Sequence, residues 1–544
     1  MTTVLVIGAG GVFGSRLAEG LLRHGFGVVV AGRSRARAED VAGRLRTAFP
    51  DALVEVAVLD TATLTPEQLK ATGAAVVADA AGPFQGAQPS TARAAIAAGL
   101  HYVDLADGRD FVAAFPALDE AARAAGVVAL TGCSSTPALS NAVLDRLTEG
   151  WREVVAVEAA ISPGARAPKG LSVMQAILSW MGRPVRVFEG GGWTTRRGWS
   201  GLYRRDFGKA GARRVSLCET PDLDLFPARF GPRDRALFLA GMEPGLLHLE
   251  AWLLGGLVRL FRFDPVPLAK PLLALAGLQA FIGSDRGAMR VQALGVDGQG
   301  RTARAVWRLV AEPGEGPVTP SLPALAAIRA ILAGQVAPGA RACVGVLPLE
   351  AITDEMAPHG LATAAEVGRG LYPRAIGPAF DALPEPIRAL HETPGRSMWR
   401  GRAMTEGASG PLAALVAWVI GFPKGQADCE AEVAIDADGE RSIWRRRIGG
   451  HGFASILSRP REGGRVSERF GPLSMELVLT PEEGRLVYRV EGWRAGRVPL
   501  PKILGPTTEA FEAVDGEGRF VFDVTIRAPL LGRLVRYRGW LTRA

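Results

Sequence analysis

Cysteine is scarce in this 544-residue chain: Cys133, Cys218, Cys343 and Cys429 stand far apart, and none forms a CxxC pair. That spacing excludes a disulfide-stapled scaffold and a zinc site of the CxxC type, and it favours a reducing compartment. No metal is expected. Lysine is nearly as scarce, with six of the 63 basic residues. Such an arginine bias, beside 68 glycines, reads as base composition of the source genome. No run of 18 uncharged apolar residues occurs, so no spanning helix is expected. A charged region ahead of an apolar stretch is missing at the N-terminus, so no signal peptide is expected and the expected location is cytoplasmic. The net charge of +8 is spread rather than gathered into a tail, which excludes nucleic acid as an expected partner. What remains is an ordinary globular composition, 48% hydrophobic and 22% charged, long enough for about three domains at roughly 100–200 residues each.

Residues 3–7 read TVLVI, a short buried strand. It runs into Gly8-Ala9-Gly10-Gly11-Val12-Phe13-Gly14 and then into a helix carrying Leu17, Leu21 and Leu22. Strand, glycine turn and helix in that order form the context in which a glycine motif carries meaning. Phe13 stands where the last glycine of GxGxxG would be, so the spacing fits GxGxxxG or GxxGxxG. Gly8 suits the tight turn, Gly10 and Gly11 allow close approach to a pyrophosphate, and Gly14 allows the helix to pack on the strand. The phosphate would then sit at the helix N-terminus, beside Val12 and Phe13. A second strand, 27–31, ends at Gly32-Arg33-Ser34-Arg35. An acid here would bind a ribose hydroxyl; Arg33 and Ser34 suit a 2′-phosphate instead, so the expected cofactor is NADP. Further strands are expected at 53–59, 75–81, 101–105 and 127–130. Six such units in series imply a doubly wound parallel sheet of order 3-2-1-4-5-6. Asp60, ending the third strand, is placed at the adenine; Ala81, Gly82, Pro83 and Phe84, ending the fourth, near the nicotinamide ribose.

The phrases GAGGVFG (8–14), AAGPFQG (80–86) and AGLHYVDL (98–105) resemble the saccharopine dehydrogenase-like family over about residues 1–150. The resemblance implies a Rossmann domain and an NADP(H)- or NAD(H)-dependent oxidoreductase. Relatives often carry a GfDSiPsD phrase after the sixth strand. Here Gly132, Ser135 and Pro137 match, but both acidic positions are replaced, by Ser134 and Leu139. No carboxylate role carries over to them. Candidate acid–base or nucleophilic groups at the strand ends are Asp104, Asp107 and Cys133.

The expected organisation is a Rossmann domain over 1–137, an α+β substrate-type domain over 138–357 and a β-rich, barrel-like domain over 370–544. Gly190-Gly191-Gly192-Trp193 reads as a tight connection. Residues 246–283 are strongly apolar, broken by Glu250, Arg259, Arg262, Asp264 and Lys270. They read as two core or interdomain helices, or as an interfacial hairpin that touches lipid. Beyond residue 370, apolar and polar residues alternate, and turn signals separate roughly eight or nine strands. This segment resembles domain of unknown function 4166, through 443–446 (IWRR), 468–472 (ERFGP) and 537–541 (YRGWL). Arg445, Arg447, Arg536 and Arg538 read as an outer solvated face; turned inward, they would make an anion site.

Two functions are therefore expected from the sequence. The first is an NADP(H)-dependent oxidoreductase acting on a small-molecule, hydrophobic substrate. The second is a redox-inert NADP-binding sensor or scaffold. A peripheral membrane contact and a homodimer are compatible with either.

Overall fold

The computed structural model describes residues 1–544 except 169, 459–464, 472, 497, 502 and 504. Pro472, the end of one phrase noted above, lies outside the described residues. The chain divides into two compact units, one built from Met1–Glu149, Val157–Ala293 and Val306–Glu366, the other from Gly150–Ala156, Leu294–Ala305 and Val367–Ala544.

The first unit opens as a doubly wound α/β domain. Its strands are β1 (Thr3–Ile7), β2 (Gly27–Gly32), β3 (Val54–Val58), β4 (Val76–Asp79), β5 (His101–Asp104) and β6 (Val128–Thr131). All pair in parallel, in the expected order 3-2-1-4-5-6. A seventh strand, Gly339–Ala342, adds to β6 from far along the chain. Val4, Leu5 and Val6 are wholly buried, as a strand covered by helices on both faces must be. Helix α1 (Val12–Arg23) buries Leu17, Ala18, Leu21 and Leu22, and helix α2 (Arg35–Ala48) buries Ala38, Val41, Ala42 and Leu45. Because the chain leaves β1 toward β2 on one side while β4 lies on the other, a crevice opens at the carboxyl ends of these strands.

A mixed nine-stranded sheet follows along the chain, in which Arg235–Ala240 pairs with both Ala212–Leu217 and Pro184–Glu189. Gly190-Gly191-Gly192 turns the hairpin between Pro184–Glu189 and Trp193–Arg197, with φ of +72° and +78° at the first two glycines. Helix α3 (Asp222–Phe230) and the pair α4 (Gly245–Phe261) and α5 (Ala269–Gln279) belong to this part.

The second unit holds a closed antiparallel barrel. Ten strands run in a ring from Leu473–Glu482 through Val466–Phe470, His451–Ser458, Arg441–Ile448, Gln426–Ala437, Gly395–Glu406, Gly532–Arg543, Phe520–Ala528 and Thr507–Val514 to Arg485–Ala495, which pairs with the first. Full closure leaves no open sheet edge in the ring. The apolar helix α6 (Pro411–Ile420) buries only Ala413 and Ala417 against the barrel core. Period-2 alternation decides which arginine turns inward. Trp444 and Ile448 are buried, Arg445 and Arg447 are exposed, and Arg446 lies inside against Trp444 at 4.8 Å. Arg538 is also exposed, and Arg536 pairs with Asp523 at 2.7 Å.

Candidate functional site

Gly8 leaves β1 at φ +80°, and a Cβ there would stand 2.9 Å from the Ala80 carbonyl carbon. The backbones that follow β1 and β4 therefore press together without a side chain between them. The Gly11 amide donates to the Gly8 carbonyl at 2.9 Å and closes the turn. Gly11 is also the N-cap of α1, with no side-chain cap, and the first turn of α1 holds no acid. The amides at the start of α1, Val12 and Phe13 among them, thus lack an intrahelical acceptor at the positive end of the helix dipole. Gly10 and Gly11 are exposed beside them, while Gly14 is buried with its Cα against the Gly8 carbonyl. This donor set fits a pyrophosphate.

Arg33 follows β2 directly, and Ser34 caps α2 by accepting from the Arg37 amide at 3.5 Å. The acids of α2 are taken elsewhere, Glu39 by Arg46 at 3.4 Å and Asp40 by Arg44 at 3.2 Å. Arg33, Arg35 and Arg37 are all exposed, and none has an ion-pair partner among the described residues. Three guanidinium groups are thus open to solvent between the end of β2 and the first turn of α2. Asp60 is exposed and holds a local turn by accepting from the Ala62 amide at 3.1 Å.

After β4, the Asp79 carboxylate accepts from the Ala81 amide at 2.9 Å and sets the path of Ala81, Gly82 and Pro83, of which Ala81 and Pro83 are exposed. Phe84 turns its ring into the core. Its ring is 6% exposed and packs edge-on to Phe111, 5.1 Å between centroids. The apolar ring is worth more in the core than at a solvated crevice.

Asp104 and Cys133 are enclosed. Asp104 Oδ1 accepts from the Gly132 amide at 2.7 Å, the Ala106 amide at 2.9 Å and the Thr131 hydroxyl at 2.9 Å. It ties the loops after β5 and β6 together. Its Oδ2 is buried with no hydrogen-bond partner among the described residues, and burial pushes the carboxyl up to about 7. Burial, with Cys343 beside it, likewise lifts the Cys133 thiol well above its ordinary range, which leaves it a poor nucleophile. Asp107 differs. It is half-buried, accepts from Gln85 Nε2 at 2.9 Å, and burial raises its carboxyl above the usual range.

The fold adds groups that strand-end reasoning missed. Burial pushes the half-buried Cys218 thiol up to about 12, and the Asp107 and Glu219 carboxylates add to the shift. Glu219 is itself raised to about 7, since burial outweighs Arg109 at 3.2 Å. Arg109 is clamped by Asp224 at 2.5 Å and donates to the Arg186 carbonyl at 2.9 Å. Asp222, wholly buried on α3, accepts from Thr136 at 2.7 Å, Ser140 at 2.8 Å and Asn141 at 2.9 Å. A carboxylate thus enters the segment after β6, where the acidic positions of the family phrase are lost. The only local signal was the run Cys218-Glu219-Thr220-Pro221-Asp222 after Val215-Ser216-Leu217.

Sheet order, glycine turn and uncapped helix together define a dinucleotide-binding α/β domain. Residues 4–130 match the family described as saccharopine dehydrogenase NADP binding domain, and residues 383–541 match the domain of unknown function DUF4166. No curated protein matches the chain. Similar solved structures include a bulky-bulky ketone specific alcohol dehydrogenase from Comamonas testosteroni, 20% identical, covering 19% of this chain and 55% of that one, TM-score 0.17. A second is an NADPH dependent reductase involved in bacilysin biosynthesis, 14% identical, covering 24% and 75%, TM-score 0.22. A third is a betaketoacyl-ACP reductase from Bacteroides thetaiotaomicron, 16% identical, covering 24% and 79%, TM-score 0.20. The chain spans about half the length of the first of these, and TM-scores this low carry no functional argument. Among the described residues no His, Cys, Asp and Glu cluster could hold a metal, and no helix is long and apolar enough to cross a membrane.

Proposed function

We propose that the first unit is an NADP(H)-dependent oxidoreductase acting on a small carbonyl or imine with an apolar body. The observation that carries this reading is the set of open guanidinium groups at Arg33, Arg35 and Arg37 beside an uncapped, acid-free helix start. Gly8, Gly10, Gly11 and the amides of Val12 and Phe13 would hold the pyrophosphate, and Arg33 the 2′-phosphate. Ala81, Gly82 and Pro83 would border the nicotinamide end, with Phe84 supporting them from the core. The bound cofactor supplies hydride chemistry. The chain's own part is to hold a proton, and Asp107 suits it: half-buried, raised by burial and oriented by Gln85.

Charge-assisted bonds to phosphate are worth about 1.5–3 kcal/mol. NADPH should therefore bind roughly ten- to a hundredfold tighter than NADH, and Arg33→Ala should erase most of the difference in calorimetry. Equal affinities for the two cofactors would overturn the assignment. Asp107→Asn should lower kcat by roughly a hundredfold, the lower range for general acid–base catalysis, with NADPH affinity unchanged. An unaltered kcat would remove Asp107 from the chemistry. A redox-inert NADP-binding sensor is the second reading, favoured by the enclosure of Asp104 and Cys133. Absence of NADPH oxidation across a panel of carbonyls and imines, with NADPH still bound, would favour the sensor.

A further inference from the structure

Helix α4 is apolar on nearly every face, yet only one face is covered. Leu247, Ala251, Gly255 and Val258 are buried, with Gly255 against Met181 and Trp199. A surface helix normally turns polar residues the other way. Here Leu253, Leu257, Leu260 and Phe261 are 53%, 47%, 69% and 67% exposed. Helix α5 is tied to α4 by Gln279 Nε2, which donates to both Glu250 oxygens at 2.9 and 3.0 Å. It presents Leu278 at 73%, with Phe281 just beyond it at 76%. Of the 26 exposed large hydrophobic side chains among the described residues, 11 fall between 246 and 282. A concentration of this kind marks a contact surface rather than ordinary scatter.

The charges on the hairpin show which surface. Arg259, Arg262 and Lys270 are exposed and have no ion-pair partner among the described residues. The acids nearby are engaged: Asp264 by Arg183 at 3.1 Å and Glu250 by Gln279. Arg262 takes a left-handed conformation, φ +55°, and turns the chain between Phe261 and Phe263 at the tip. Apolar side chains ringed by open cations match a lipid surface, whose acyl boundary takes the former and whose phosphates take the latter. With 17 residues and one face against protein, α4 lies on such a surface and does not cross it.

We propose that the α4–α5 hairpin docks the protein on anionic lipid bilayers, with Leu260, Phe261, Leu278 and Phe281 in the acyl boundary and Arg259, Arg262 and Lys270 on headgroup phosphates. The inference stands apart from the cofactor reading. The test is flotation of the full chain with phosphatidylcholine vesicles, with and without one-third phosphatidylglycerol. The wild type floats with the anionic vesicles, and salt weakens the association. Leu260→Asp with Phe261→Asp abolishes flotation. Arg259→Glu, Arg262→Glu and Lys270→Glu together bring binding on anionic vesicles to the neutral-vesicle level or below, about fivefold per cation removed. Melting temperature and circular dichroism report folding for each variant, and the charge variant alters only exposed side chains. Failure of the wild type to float, or full flotation of the double aspartate variant, would overturn the proposal. A dimer in light scattering that the aspartates dissolve, with no vesicle binding, would assign the face to a second copy of the chain instead.

Discussion

A Cβ on Gly14 would run into the Gly8 carbonyl oxygen, whereas one on Gly10 meets only the Val41 side chain at 3.5 Å. Gly14→Val should therefore force α1 off β1 and lower stability by about 1–3 kcal/mol, the cost of overpacking, visible as a lower melting temperature. Gly10→Val should keep the fold and lose NADPH binding, because its side chain fills the space the phosphates need. Retained NADPH affinity would show that this turn holds no phosphate. Asp222 gives a pH test. Burial sets its folded pKa at about 7, above the value of about 4 in an unfolded chain. The native state thus keeps a proton that the unfolded state releases between those values. Its stabilising contribution is full below pH 4 and is lost as pH rises through 7. Asp222→Asn should cost more stability at pH 5 than at pH 8, measured by thermal melts; a cost that grows with pH would contradict the assignment. Glu158 has the opposite sign. Burial alone would raise it, but Arg205 and Arg290 hold it at about 2, so its contribution is full above about pH 5 and is lost as pH falls toward 2.

Two neighbouring barrel strands come unusually near at one point. A Cβ on Gly401 would strike the Trp540 carbonyl oxygen, and one on Gly539 the Arg402 carbonyl oxygen. These glycines lie where Gly395–Glu406 pairs with Gly532–Arg543. Gly539→Val should separate this pair and lower the melting temperature of the β signal. An unchanged melt would show that the ring tolerates a gap there. The barrel interior also carries an ionisable group that strand alternation alone left undecided. Arg446 donates to the Ser455 hydroxyl at 2.7 Å and pairs with Glu468 at 3.4 Å. Its neighbours Arg445 and Arg447 face outward, because a step of one residue along a strand exchanges the faces.

Each compact unit is built from discontinuous segments. The second takes Gly150–Ala156 and Leu294–Ala305 together with Val367–Ala544. Within it, the buried side chain of Arg304 pairs with Glu440, and the Thr302 hydroxyl donates to the Glu392 carbonyl. A fragment starting near residue 370 should still give a β-dominated circular dichroism spectrum, since the ten ring strands all lie beyond it. It should melt below the barrel of the full chain, because Glu440 and Glu392 lose those partners. A helical or unfolded spectrum would refute an autonomous barrel.

The βα alternation, the glycine turn, the arginines after β2 and the period-2 pattern of the last third were all legible in the sequence. Each is a signal carried by residues a few positions apart, and backbone geometry alone ties such a pattern to an element. The strand Gly339–Ala342 was not legible, since GARA has no apolar run and gains its place only by pairing with β6 some 200 residues earlier. Asp222 reaches Thr136 across 86 residues and Glu219 reaches Arg109 across 110, with no local pattern to announce either contact. Burial is likewise a pairwise property. Sequence shows that residues 246–283 are apolar, but only the packing of α4 against Met181 and Trp199 decides which face is covered and which remains open.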